Sequence, residues 1–206
     1  GVGANEPYMM IGGGLEKEQV VQVAAGYAHI MLLTKEGSLY TCESGDDGYG
    51  GRLTTAPSGN TFGQLGRDGP ARMPRRVLPT YIGAVPPVSM SAGRCASFVV
   101  DALGAVYAWG CSQGTGLPPP GRHTPARLDA MRSHRVRSIS AGEYQVLAMC
   151  DDDGTVLTWG SGAGTAIPTR VQGLPLGASE VVAGYQHSLA LAPCSAVGRM
   201  MDAKEA

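Results

Sequence analysis

The sequence predicts an all-β fold, a β-propeller assembled from repeats, on three recurring markers. An Ala-Gly pair opens a short apolar run four times, at Ala25-Gly26, Ala92-Gly93, Ala141-Gly142 and Ala183-Gly184, with intervals of 67, 49 and 42 residues. A turn glycine follows the first three pairs after 11 or 12 residues (Gly37, Gly104, Gly154). Five residues beyond that glycine stands Trp109 in the second unit and Trp159 in the third, with Cys42 in the equivalent place of the first. The pattern Pro-x-Arg-apolar then closes each unit, at Pro74 to Val77, Pro125 to Leu128 and Pro168 to Val171. A repeat that cannot bury its own apolar face must bury it on its neighbours, and periods near 40 to 50 residues with several strands each point to propeller blades.

The markers divide residues 1–193 into a partial unit (1–14), three full units (15–78, 79–128 and 129–172) and a second partial unit (173–193), with a tail at 194–206. About four blades or partial blades result, as a partial arc or a small ring. Val20 to Thr34 and Val181 to Leu191 mix β-branched and long aliphatic residues with small ones, as in strands buried on both faces near a propeller's centre. The opening glycines Gly26, Gly93, Gly142 and Gly184 suit the narrow end of a blade, where only small side chains let backbones converge. Glu36-Gly37 and Asp153-Gly154 supply the positive φ that a two-residue hairpin turn needs. Trp109 and Trp159 are expected to wedge against the adjoining blade, so truncation of either to Ala should cost about 3 to 5 kcal/mol.

Composition narrows the function. The 206 residues are 43% hydrophobic, enough for a buried core. Thirty-one Gly and 14 Pro suit a chain of many turns, while 6% aromatic content is low for a surface that stacks bases. The net charge of −1 provides no global attraction to nucleic acid or an acidic membrane. The longest nearly apolar stretch, Val20 to Leu33, has 14 residues, short of the roughly 18 that a spanning helix requires. No basic segment followed by an apolar one opens the sequence, so no secretory leader is expected in these residues. Five cysteines (Cys42, Cys95, Cys111, Cys150, Cys194) lack Cys-x-x-Cys spacing and read as small buried hydrophobes in an intracellular reducing compartment, with a Cys42 to Cys150 bridge as the alternative.

The Ala-Gly opening, the turn Gly, the Trp-Gly pair and Phe62-Gly63-Gln64-Leu65-Gly66 together resemble the regulator-of-chromosome-condensation repeat family, across about residues 7 to 193. Val23-Ala24-Ala25-Gly26-Tyr27-Ala28-His29 and Val182-Ala183-Gly184-Tyr185-Gln186-His187 match the opening of that repeat. The resemblance implies a propeller, usually of seven blades. Three full repeats leave strand edges open. Further sequence, another polypeptide or a smaller ring of about four blades would each cover them. Within the first repeat, Gly51 to Thr61 intervenes between Tyr49-Gly50 and Phe62, an insertion of 11 residues. Loops on rigid scaffolds carry recognition, and Arg52, Leu53, Thr54 and Asn60 are its candidate contact residues; a surface loop without a partner is the other reading.

No nucleophile elbow, phosphate-binding glycine loop or His-Glu-x-x-His is present, so no catalytic chemistry, cofactor or metal is expected. His29 and His187 occupy one repeat position and are expected to hydrogen-bond the backbone of a neighbouring blade. Asp151-Asp152-Asp153 lacks the spaced ligands of a calcium loop. Arg122, Arg132, Arg135 and Arg137 form a candidate basic patch, but without interleaved aromatics nucleic acid is disfavoured. The reading is a non-catalytic protein-interaction module or structural subunit of a larger assembly. The resemblance adds guanine-nucleotide exchange on a small GTPase as the alternative. Light sensing, as in the plant ultraviolet-B photoreceptor of this fold, needs a cluster of tryptophans, and this chain has two.

Overall fold

The computed structural model describes residues 12–44, 60–69 and 72–193. Three four-stranded antiparallel sheets follow one another along the chain, and a two-stranded sheet ends the series. The first holds β1 (Val20–Ala25), β2 (His29–Thr34), β3 (Leu39–Glu43) and β4 (Arg75–Arg76). The second holds β5 (Pro87–Ala92), β6 (Ala96–Asp101), β7 (Val106–Cys111) and β8 (Gly121–Arg127). The third holds β9 (Val136–Ala141), β10 (Val146–Cys150), β11 (Val156–Gly160) and β12 (Thr165–Arg170); the last holds β13 (Glu180–Ala183) and β14 (Ser188–Leu191). In every sheet each strand pairs with its sequence neighbour, the all-β meander of propeller blades.

Apolar residues on alternate positions are buried between sheets. Met31, Leu33, Leu39, Met90, Val99 and Trp109 join the first to the second. Phe98, Val100, Ala108, Ile139, Val146 and Trp159 join the second to the third, with Phe98 and Trp159 edge-to-face at 6.0 Å. Leu147, Met149, Val156 and Val181 begin a third joint. At the narrow end, a Cβ on Gly93 would stand 2.8 Å from the Gly142 carbonyl oxygen, and one on Gly26 or Gly142 would collide with the Gly93 or Gly184 carbonyl oxygen. Only glycine lets these backbones meet. Two serines tie the same seam, since Ala141 N donates to Ser91 Oγ and Ala183 N to Ser140 Oγ, each at 2.9 Å.

Three expectations from the sequence change. The outermost strands are not buried on both faces: Val21, Val23, Leu189 and Leu191 are all exposed, because among the described residues no further sheet packs against them. Leu15 covers part of the first sheet's outer face, against Leu32 and Tyr40. The hairpin loops are longer than two residues. Thr34 N donates to Ser38 O (2.9 Å) across residues 35–37, and Cys150 N to Thr155 O (2.8 Å) across residues 151–154. Gly37 and Gly154 end those loops with φ of +78° and +66°, as in turns that finish on a left-handed glycine. Finally, Cys95 and Cys111 form a disulfide, Cα to Cα 5.5 Å, while Cys42 and Cys150 are both buried. The turn after β5 and the end of β7 bring the first two together at one hairpin mouth, a proximity that spacing alone does not reveal. Cys42 and Cys150 lie in different sheets. Burial pushes the Cys150 thiol up to about 11, with Asp153 and Asp152 adding to the effect.

Candidate functional site

Turns between first and second strands, and loops after third strands, lie at one end of the sheets. The residues just after the opening glycines project there. Arg94 Nη1 lies 3.2 Å from Glu143 Oε1 and donates to Tyr144 Oη at 3.0 Å, with its guanidinium 5.6 Å from the Tyr144 ring centre. Tyr144 in turn meets Tyr185 edge-to-face at 6.0 Å. Hydrogen bonding to Glu143 is the largest of the influences that raise the Tyr144 phenol above its ordinary range. Tyr27 stands one place after its opening glycine, as Tyr185 does, and is half exposed, with its N–H donated to Gly93 O at 3.3 Å. Beside this row a cleft of about 350 Å³ is bounded by Phe62, Arg94, the Cys95–Cys111 disulfide, Glu143 and Tyr144. Exposed Tyr, Phe and Arg side chains braced by one another on a rigid backbone are the composition of protein-binding hot spots.

Sequence reasoning did not single out this row. Its signal is present in Gly26-Tyr27, Gly93-Arg94, Gly142-Glu143-Tyr144 and Gly184-Tyr185, a polar or aromatic residue one or two places after each opening glycine.

Below the face lies a buried polar junction between the first two sheets. The Gln64 carbonyl accepts from Trp109 Nε1 and from Ser97 Oγ, both at 2.8 Å. Ser97 gives its proton to that carbonyl, so the 2.8 Å contact with His29 is donation from the imidazole Nε2–H to Ser97 Oγ. His29 is fully buried, and burial lowers its pKa to about 4, so it is neutral at pH 7. It therefore reaches a neighbouring sheet's side chain rather than its backbone. Ser97 is also fully buried, and its hydroxyl proton is committed to a carbonyl, so the pair has neither the access nor the free proton path of a nucleophile and its base. His187, at the same repeat position, is exposed, with its ring over Gly184.

The remaining candidate residues are dispersed. Arg52, Leu53 and Thr54 lie outside the described residues. Asn60 holds its own loop: Oδ1 accepts from Leu65 N at 2.9 Å and Nδ2 donates to Arg67 O at 3.4 Å. The four arginines do not form one patch. Arg122 is near the start of β8, whereas Arg132 pairs with Asp129 (2.7 Å) and Arg135 with Asp151 (3.3 Å) beyond its end. Arg137 Nη2 reaches across to Ala178 O and Ser179 O, each at 3.4 Å. Asp153 Oδ1 accepts from Thr155 N at 2.8 Å, and hydrogen bonding to Thr155 lowers its pKa. Among the described residues no group of three His, Cys, Asp or Glu side chains could hold a metal ion, and no helix is long and apolar enough to cross a membrane.

Comparison with known proteins agrees with this geometry. The family model of the Regulator of chromosome condensation (RCC1) repeat matches residues 20–50. Protein pim1 of Schizosaccharomyces pombe is 32% identical over 154 residues, covering 69% of this chain and 25% of pim1. The E3 ubiquitin-protein ligase HERC2 of Homo sapiens is 30% identical over 193 residues, covering 86% of this chain and 4% of HERC2. The chain thus spans a quarter or less of the length of these two relatives. Among solved structures, Prp20p from Saccharomyces cerevisiae superposes with a TM-score of 0.65 at 20% identity, over 84% of this chain and 42% of Prp20p. Human WBSCR16 superposes with a TM-score of 0.63 at 19% identity, over 81% and 43%. Three four-stranded blades and a two-stranded one, joined by repeated Gly and Trp contacts, place this chain in the regulator-of-chromosome-condensation repeat family of β-propellers.

Proposed function

We propose that this chain is a non-catalytic protein-interaction module, a structural subunit of a larger assembly, that binds its partner through the loop face carrying Tyr27, Arg94, Tyr144 and Tyr185. The observation that carries this reading is the mutual bracing of Arg94, Glu143, Tyr144 and Tyr185, one or two places after the opening glycines and outside the core. Side chains held in place before binding lose little conformational freedom on association. The experiment is affinity capture from the native source with the unmodified chain and with Tyr144→Ala/Tyr185→Ala. Both rings lie outside the buried core, so the variant should keep its β-sheet circular dichroism while its specific partners disappear from the eluate. Equal capture by both proteins would move binding elsewhere.

Regulation of a small GTPase is the second reading, favoured by the fold shared with Prp20p, whose binding to Gsp1p and histones has been described. There the propeller would act by preferring the nucleotide-free state of the GTPase. Accelerated release of a fluorescent guanine nucleotide from a co-purifying GTPase would establish it, and an unchanged release rate would remove it.

A further inference from the structure

The three four-stranded sheets close the hairpin between their second and third strands at one place, and only the second sheet has cysteines there. Cys95 stands two residues after its opening glycine and Cys111 two residues after Trp109; Ala28 and Ser44 hold these places in the first unit, Tyr144 and Ser161 in the third. Backbone closure needs no bridge. Ser44 N donates to Ala28 O at 3.1 Å in the first sheet, as Cys111 N does to Cys95 O at 2.9 Å in the second. The β6–β7 ladder continues from that bond, with Ala96 opposite Gly110 through to Val100 opposite Val106. Opening the disulfide therefore leaves the main-chain bonds of the hairpin in place, and the bridge belongs to this unit rather than to the repeat.

A second difference exposes it. Three residues after the opening glycine, His29 crosses to Ser97 of the next sheet, whereas Ala96 at the same place is too short to cross. The gap left between the second and third sheets is lined by Cys95, Ala96, Cys111 and Gln145. It adjoins the cleft of about 350 Å³, whose wall includes both cysteines with Arg94, Glu143 and Tyr144, a volume at the small-molecule end of ligand pockets. Cys95 is partly exposed and Cys111 is buried. Beside them the Arg94 side chain is 48% exposed, while Glu143, at 12%, is already engaged by Arg94 and Tyr144. An entering molecule meets a cation next to a disulfide of which one end is within reach.

We infer that the Cys95–Cys111 bridge is a thiol-exchange site, at which a small thiol carrying carboxylates becomes joined to Cys95 as a mixed disulfide. The thiolate attacks Cys95 Sγ, the bond between the two cysteine sulfurs breaks, and its electron pair leaves with Cys111 Sγ, which takes a proton from water. One disulfide replaces another, so no further oxidant or reductant enters. Such exchange proceeds by thiolate attack on a sulfur that can be reached. Arg94 supplies the positive charge that draws in an anionic thiol and holds its carboxylate. The site is independent of the partner reading above, since it requires no protein on the loop face.

The test incubates the oxidised 206-residue chain with reduced glutathione, an anionic thiol, or with cysteamine, a cationic one, and stops each reaction with acid at successive times. Each rate is divided by that thiol's rate on hydroxyethyl disulfide, an uncharged reference. Peptide mass spectrometry should find one glutathione on Cys95 and a free thiol at Cys111. Arg94→Glu should slow glutathione addition about tenfold, the scale of electrostatic steering, without slowing cysteamine, and Arg94→Lys should keep the original rate. Glutathione on Cys111, or only on other cysteines, would overturn the inference, as would absence of an adduct or equal rates in Arg94→Glu. If Arg94→Glu fails to fold, the unmodified chain decides: relative rates should favour glutathione, and a preference for cysteamine or none would overturn the inference.

Discussion

Replacing each tryptophan by phenylalanine should separate two residues that repeat alignment treats as equivalent. Both are fully buried and both fill a joint between sheets, so each substitution loses part of a ring, about 1 to 2 kcal/mol. The indole N–H makes the difference. Trp109 Nε1 donates to Gln64 O at 2.8 Å, whereas the buried Trp159 Nε1 meets no acceptor among the described residues. Trp109→Phe removes a hydrogen bond worth about 1 kcal/mol, and Trp159→Phe removes an unpaired donor whose burial disfavours folding by about 1 to 3 kcal/mol. Trp109→Phe should therefore be the more destabilising by about 2 kcal/mol or more, the sum of these two contributions. Urea unfolding followed by circular dichroism, compared at equal slopes, should place its midpoint lower by about 1 M for a slope near 2 kcal/mol per M. Equal midpoints, or a lower one for Trp159→Phe, would refute the reasoning.

His29 titrates near 4 when folded and near 6.5 when unfolded. The unfolded chain therefore takes up the proton first as pH falls. Stability is complete above about pH 6.5 and declines by about 3 kcal/mol on reaching pH 4; melting temperatures across this range should flatten in His29→Gln, and an unaltered slope would point to other groups. Reduction of Cys95–Cys111, which are 16 residues apart in sequence, should lower stability by about 3 kcal/mol. Alkylation of the unreduced native protein, read by mass spectrometry, should leave these two unlabelled, and labelling of either would contradict the bridge. Gly142→Ala pushes a Cβ onto the Gly184 carbonyl oxygen, and overpacking of this kind costs about 1 to 3 kcal/mol. Hydrogen exchange should then quicken selectively in β13 and β14, and a uniform response would place the strain elsewhere.

The sequence by itself determined the repeat and the all-β class, because those rest on local signals: alternating apolar residues, turn glycines, and small residues at the seam. It also located Trp109 and Trp159, whose place in the unit follows from spacing. Only the tertiary structure decided what those positions do. Two tryptophans at one repeat position differ in hydrogen bonding because the segment at residues 60–67 presents the Gln64 carbonyl to Trp109, whereas Trp159 Nε1 meets no acceptor among the described residues. Two histidines at one position differ because His29 has a neighbouring sheet and His187 has none among the described residues. Arginines close in sequence separate to opposite ends of a strand, while Tyr27, Arg94, Tyr144 and Tyr185, far apart in sequence, gather on one face. Local pattern follows from neighbours along the chain, but partners, burial and charge pairing arise between segments about 40 to 70 residues apart, and only folding brings those together.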